Sequence, residues 1–374
     1  MTTFTPRSPD HATRPPAPWQ PTTQVHELAQ AGPVASVYLG TRTGVRDGAD
    51  QVLTRWQVLR RRLRDEGAPE AMLAALDECM HRAPLRGQTM AAFADADGRS
   101  HLDHLPCSVE EEATLGPFPH LSPLLTARHR EVPVVVVVST GRPGADLLLV
   151  EPGAPDLVCQ VVGEDLLVGG PAPVSPNRRL ARAEQQWRAD ARAVGEALTW
   201  LVGCSGARLV LIGGHAGTLD LLRPRLEPRI RALLVGVRGP SDPGSLAARA
   251  RLMAADVAAL EEAAVVEELL AALPGGRACV GSVATLQAVV HGQAEEVLVA
   301  PAQADRHWVR QLVPDGAGAT GRPARLSDVL VHAACTTSTT VRTIRDGRRL
   351  TAGVGAVLRD SASVPRTSRK RVLS

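Results

Sequence analysis

Lysine and aromatic residues are nearly missing from this chain: among 374 residues Lys370 is the single lysine, Tyr38 the single tyrosine, and aromatics make up 2%. With lysine gone, almost all positive charge is arginine. Arginine abundance therefore says little about partners, whereas its clustering is informative because guanidinium forks suit phosphate. Scarce aromatics force cores of Val, Leu and Ala, and they count against the base-stacking platforms of nonspecific single-strand binders. No apolar run approaches the roughly 20 residues that span a bilayer; VPVVVVV at Val132–Val138 is far shorter. Cys79, Cys107, Cys159, Cys204, Cys279 and Cys335 form no CxxC pair and no dense framework. That points away from zinc and towards reduced thiols in the cytoplasm. The opening MTTFTPRSPDHATRPPAPWQPTTQ holds no apolar core, so it reads as a disordered Pro/Thr-rich tail rather than a signal peptide or membrane anchor.

What is present is a globular composition, 44% hydrophobic and 22% charged with a net charge of +3, long enough for two or three domains. VASVYLG reads as a strand, followed by amphipathic helices over Ala49–Glu66, with Leu53, Trp56, Leu59 and Leu63 at helical spacing, and over Pro69–His81. TMAAFAD and SHLDHL read as strands, and EEEATLGPFP as an acidic break that ends an α/β unit near residue 130. VPVVVVVST, ADLLLVE and LVCQVV, separated by GRPG and PGAP, predict a three-stranded antiparallel meander. A long helix over about Arg179–Val202 follows. Strand RLVLIGG, helix TLDLLRPRL and strand IRALLVGV then add parallel strands, giving a mixed sheet of the ribonuclease-H-like kind. An Ala-rich helix of about 28 residues, roughly 42 Å long, opens the third unit with Ser245 as expected N-cap and Pro274-Gly275 at its end. It is long enough to bridge domains. CVGSVATLQAVVHGQAEEVLVAP then reads as strand end, helix, turn and strand, before helix SDVLVHAACTTS, strand TTVRTI, the closing GVGAVLR and a basic tail.

Each chemical motif has a plainer reading beside it. On a strand, His101 and Asp103 of HLDH face one side and His104 the other, so no metal ligands converge. LIGGHAG (Leu211–Gly217) lacks both the GxGxxG spacing and the P-loop Lys-Ser/Thr, leaving a tight strand-to-helix turn. Asp146, Glu151 and Asp156 fall largely in turns of the meander, which disfavours a two-metal nuclease. Ser205 in GCSGA is not a GxSxG elbow, and Ser139 has no designated base. Arginine clusters stand at Arg178–Arg192, Arg223–Arg238 and Arg342–Arg349; each is either a contact for a polyanion or solvated surface.

The order of these parts resembles bacterial relatives of the archaeo-eukaryotic class I release factors and Pelota. VPVVVVVSTGRPGADLLLV, a loop, a long helix and RLVLIGGHAGTLDLL come first, then TLQAVVHGQAEEVLV and GVGAVLR. More narrowly it resembles the actinobacterial branch that includes Balon-type ribosome hibernation factors. The resemblance implies an α/β (mixed α+β) chain of three domains: 26–130; 131–240, ribonuclease-H-like; and 241–360, L7Ae-like. These lie between tails at 1–25 and 361–374. It also implies that the loop before the long helix stands where the family carries Gly-Gly-Gln, whose glutamine positions the water that attacks peptidyl-tRNA. Here Gly169-Gly170 is followed by Pro171, and Gln185 and Gln186 fall within the helical pattern beside Trp187. Proline removes an amide donor and fixes the backbone, so hydrolysis is disfavoured. Asn177, Arg178, Arg179 and Arg182 remain as the expected ribosomal-RNA contacts, with Arg178 and Arg182 one helical turn apart. No counterpart of the family's stop-codon-reading motifs is present. The implied protein is a non-catalytic factor that occupies the ribosomal A site in hibernation or stress protection. It needs no cofactor, elongation factor Tu touches its third domain, and it is a cytoplasmic monomer off the ribosome, without membrane attachment. A peptidyl-tRNA hydrolase and a non-ribosomal interaction module are the alternatives.

Overall fold

VASVYLG forms strand β1 (Val34–Gly40), whose apolar side chains fill both of its faces. The structure, a computed structural model, describes residues 33–41, 48–82, 87–105, 107–130, 132–138, 144–150, 157–162, 176–213, 220, 222–238, 242–309 and 323–359. Helices α1 (Gly48–Asp65) and α2 (Glu70–Arg82) follow, then β2 (Thr89–Asp95), β3 (Ser100–Leu105) and β4 (Glu112–Gly116), in a sheet of order β3-β2-β1-β4. The acidic stretch expected to break the chain is thus a strand. Pairing of Ala113 with Val37 and of Thr114 with Ser36 along β1 overrides the weak strand preference of glutamate.

Strand alternation divides this sheet's side chains between two cores. Ala35, Val37 and Leu39 pack with Trp56, Leu63 and Leu76 under α1 and α2. Val34 and Tyr38 face the other way, with Phe93 and Leu105. There they meet α3 (Ser122–His129), a short helix that sequence periodicity does not reveal.

The central segment forms the expected meander, β5 (Val134–Val138), β6 (Gly144–Val150) and β7 (Leu157–Val162), followed by α4 (Pro176–Ser205) and β8 (Leu209–Gly213). The expected strand over 230–237 is instead α5 (Pro228–Ala232) and a short β9 (Leu234–Gly236). Pro228 presets the first helical turn, and α5 buries Ile230 against the core while its other side chains stay exposed. Of TLDLLRPRL, Asp220 and Leu222 are helical and Arg223–Arg225 is a 3-10 turn; Thr218, Leu219 and Leu221 lie outside the described residues. Strand order is β7-β6-β5-β8-β9, antiparallel from β5 to β7 and parallel from β5 through β8 to β9.

The Ala-rich helix is α6 (Pro243–Ala272). Its N-cap is Asp242, not Ser245: Asp242 Oδ1 accepts the Ser245 N–H at 2.8 Å, with Pro243 pre-set at the first helical position. Leu246, Ala250, Ala254 and Ala258 lie against Val134, Val136 and Leu211. A β-carbon at Gly213 would stand 2.4 Å from Leu246 Cδ1, so glycine there permits the close approach. The last turns of α6 place Val266 and Leu269 against Leu298 and Ile344.

The C-terminal segment continues with β10 (Ala278–Val280), α7 (Ser282–Val290), β11 (Ala294–Val299) and α8 (Pro301–Ala304). A two-stranded ribbon of β12 (Trp308–Val309) and β13 (Ala324–Arg325) precedes α9 (Leu326–Thr337), β14 (Thr340–Thr343) and β15 (Val354–Leu358). The larger sheet runs β10-β15-β11-β14.

Each of the three sequence segments therefore supplies its own sheet, yet the chain divides into two compact units. Arg130–Leu260 form one; the described residues up to His129, together with those from Glu261 onward, form the other. In this second unit Tyr38, Phe93, Leu105, Leu124 and Leu125 share one apolar core with Leu286, Val297, Leu326 and Leu330. No helix among the described residues is long and apolar enough to cross a membrane.

Candidate functional site

Gly169, Gly170 and Pro171 lie outside the described residues. Asn177, Arg178, Arg179 and Arg182 fall in the first two turns of α4, of which the backbone alone is described, and Gln185 and Gln186 lie on the same uninterrupted helix. The 178 and 182 positions are thus one turn apart along a real helix.

The two other arginine clusters separate sharply in their electrostatics. In the C-terminal cluster Arg342 pairs with Glu296 at 2.7 Å, Arg345 with Glu262 at 3.7 Å, Arg348 with Asp346 at 3.8 Å and Arg349 with Glu267. Its charge is met within the chain, which removes most of its pull on a polyanion. In the central unit Arg223, Arg225, Arg229, Arg231 and Arg238 are all exposed. Among the described residues none forms an ion pair with Arg223, Arg229, Arg231 or Arg238.

A buried polar cluster in the second unit escapes sequence reading altogether. β4 supplies Glu112, the turn before α3 supplies His120, the residue after α8 is Asp305, β13 ends in Arg325, and the first turn of α9 brings Ser327 and Asp328. His120 and Asp328 are 3% and 8% exposed. His120 Nδ1 lies 2.8 Å from Asp328 Oδ1, and its Nε2 lies 2.8 Å from Arg325 Nη1. Because arginine only donates, Nε2 is the acceptor and Nδ1 carries the proton given to Asp328. Arg325 also donates to Glu112, and Ser327 to Asp305. The backbone of His120 is fixed as well: the Tyr38 hydroxyl donates to its carbonyl at 2.6 Å, and its N–H donates to Ser36 Oγ at 2.9 Å.

Burial pulls the His120 pKa down, but Asp328, and Asp305 behind it, outweigh burial and the opposing Arg325, leaving a net upward shift. Burial likewise lifts Asp305 and Tyr38. For Glu112 burial pushes up, but the Arg325 hydrogen bond and the neighbouring positive charges hold it below its ordinary 4.5. A depressed carboxyl stabilises the fold above the unfolded value, and that stability is lost as pH falls through the lower folded one. The second unit is therefore expected to weaken as pH drops below 4.5, and Glu112→Gln to flatten that acid limb in urea titrations. Identical acid limbs in the two proteins would remove Glu112 from the account.

Chemically the cluster holds rather than reacts. Serine, histidine and aspartate are the residues of a nucleophilic triad, but the Ser327 hydroxyl is committed to Asp305 and the basic nitrogen of His120 to Arg325, so no base reaches the serine. Ser205 is tied to its own helix, donating to the Leu201 carbonyl at 2.7 Å. Asp103 of HLDH accepts from Arg128 at 2.5 Å, and the described residues contain no group of three side chains fit to hold a metal ion. Asp146 lies on β6, while Glu151 and Asp156 are outside the described residues. Cys79, Cys107, Cys204, Cys279 and Cys335 form no disulfide among the described residues, and burial pushes Cys335 up to about 11.

Residues 134–274 match the family model of bacterial archaeo-eukaryotic release factor family 2. An uncharacterized protein of Mycobacterium tuberculosis strain H37Rv and one of strain CDC 1551 are each 27% identical over 225 residues, covering 56% of this chain. The alignment spans 59% of those relatives' own length. Among solved structures, Archaeoglobus fulgidus Pelota aligns over 90% of both chains at 15% identity and a TM-score of 0.36. S. cerevisiae Dom34, described as a translation termination-like factor, aligns over 72% of this chain and 80% of its own at 12% identity and a TM-score of 0.38. At such scores these two overlays carry no weight. The match to bacterial archaeo-eukaryotic release factor family 2 thus covers the central segment, from β5 to just beyond the end of α6.

Proposed function

We propose that this chain is a ribosome-binding translation factor that enters the A site and does not hydrolyse peptidyl-tRNA. The observation that carries the reading is the release-factor family match across residues 134–274, within which Gly169-Gly170 is followed by Pro171 where the family's catalytic glutamine would stand. The glutamines that are present, Gln185 and Gln186, sit on helix α4, away from any glycine pair. The segment before α4 then docks rather than reacts. Asn177, Arg178, Arg179 and Arg182 meet ribosomal-RNA phosphates near the peptidyl-transferase centre, where guanidinium groups suit closely spaced phosphates. In this reading the protein works in the cytoplasm in hibernation or stress protection, resembles the Balon-type branch, and meets elongation factor Tu through its C-terminal segment.

Arginine–phosphate contacts release counterions, so binding should fall steeply with salt. Purified bacterial ribosomes sedimented with the protein at low and high salt are expected to carry it down at low salt and shed it at high salt. No co-sedimentation at low salt would sink the proposal. Release of peptide from loaded ribosomes that Gln185→Ala or Gln186→Ala abolishes would replace it with a hydrolase. A pull-down dominated by proteins other than ribosomal ones would point to an interaction module.

A further inference from the structure

We propose that Arg223, Arg229 and Arg231, on the short helical segment after β8, form a docking surface for the phosphate backbone of double-helical RNA. The choice of RNA over DNA rests on the ribosome reading; the choice of a helical phosphate backbone rests on the surface itself.

The first observation is uncompensated charge. Arg223, Arg229 and Arg231 stand beside the single acid Glu227, and all four side chains are exposed. Among the described residues none forms an ion pair with Arg223, Arg229 or Arg231. Elsewhere arginines of this chain are met at home, as Arg345, Arg348 and Arg349 are by Glu262, Asp346 and Glu267. An arginine already paired loses a partner when it turns to phosphate, whereas an unpaired one gives up only water and counterions.

The second observation is rigidity. Leu222, Leu226, Ile230 and Leu234 point into the core at four-residue spacing, against Val194 and Leu198 of α4. Pro224 and Pro228 open the 3-10 turn and α5, fixing the backbone at both starts. The arginines therefore leave the surface from a backbone held on its inner side, and little chain entropy is lost when they engage.

The third observation is what the surface lacks. No aromatic residue occurs between Arg208 and Arg238, so unpaired bases find nothing to stack on. Among the described residues the large exposed hydrophobic side chains, Val58, Leu252, Leu260, Val283 and Trp308, all lie elsewhere, so the apolar anchors of a protein hot spot or of membrane insertion are not found on this segment. Charge without anchors or stacking suits a regular line of phosphates, which position a protein without being read.

The test uses the full chain, a fluorescein-labelled RNA duplex of about 16 base pairs, and anisotropy at several salt concentrations. Three positive charges are removed together in the variant Arg223→Gln/Arg229→Gln/Arg231→Gln. Affinity at low salt is expected to fall about tenfold or more, and the slope of log affinity against log salt to shrink by roughly two to three. Circular dichroism and urea midpoint should be unchanged, since all three side chains are exposed. The matched variant Arg345→Gln/Arg348→Gln/Arg349→Gln removes the same charge from paired positions and should keep a slope within about one of the parent. Equal losses in the two variants would mean net charge alone and overturn the proposal, as would wild-type affinity and slope in the first variant. A loss seen with single-stranded RNA, polyglutamate or phosphatidylserine vesicles but not with the duplex would also overturn it. Ribosome sedimentation separates the two readings. Duplex binding lost by the first variant, with a parent protein that never pellets with ribosomes, refutes the ribosome reading and leaves the surface standing. A parent that pellets while the variant binds duplex normally does the reverse.

Discussion

Asp328→Ala is expected to destabilise the second unit by about 3 kcal/mol, the cost of leaving a buried donor without its carboxylate acceptor. Hydrogen exchange of peptides covering β1 and β14 should report it as two to three orders of magnitude of lost protection, apart from the other unit's behaviour. The cause is local. Asp328 Oδ1 accepts from His120 Nδ1 at 2.8 Å, and both side chains are buried. Without it the ring N–H is buried with no acceptor, and an unmet buried donor costs more than the hydrogen bond was worth. Asp328→Asn keeps an oxygen in place and should cost no more than about 1–2 kcal/mol. Equal and small effects from the two substitutions would show that the cluster holds nothing together.

A fragment of residues 26–130 is expected to show no cooperative unfolding at all. Its sheet is closed on one side by α1 and α2, but Tyr38, Phe93, Leu105, Leu124 and Leu125 share their core with Leu286, Val297, Leu326 and Leu330 from the far end of the chain. Full burial of such side chains is worth about 1.5–3 kcal/mol each, on the order of 10 kcal/mol together. Helix α3 stays with the fragment and keeps part of this surface covered, yet losing half still removes about 5 kcal/mol, comparable to the whole net stability of a small domain. Circular dichroism melting of the fragment checks this. A sharp transition at the full chain's midpoint would mean that the N-terminal sheet stands by itself.

Much of the fold is legible because it is local. β1, β2 and β3 announce themselves through short runs bounded by polar turns, the meander through valine and leucine between Gly/Pro turns, and α6 through alanine bounded by Pro243 and Pro274. What stays hidden depends on distant partners. β4 is a strand because β1 lies beside it, and α3 is too short, at eight residues, for a period to emerge. Of the candidate site, the order Gly169-Gly170-Pro171 is written along the chain. The difference between the Arg342–Arg349 cluster and the Arg223–Arg231 face is not, because Arg349 finds its glutamate 82 positions away. His120 and Asp328 sit in stretches with no shared pattern, and only the folded chain brings them together.

The separation of those two residues also sets an order of events during synthesis. Asp328 follows His120 by 208 positions, and at roughly 5–20 residues per second the later one emerges some 10–40 s after the earlier. All strands of the central sheet lie inside that interval, so this sheet can close while Tyr38 and Phe93 still wait, uncovered, for a surface that has not yet been made. The segment that carries Asp328 is thus the one whose arrival ends the exposure of Tyr38 and Phe93 to aggregation.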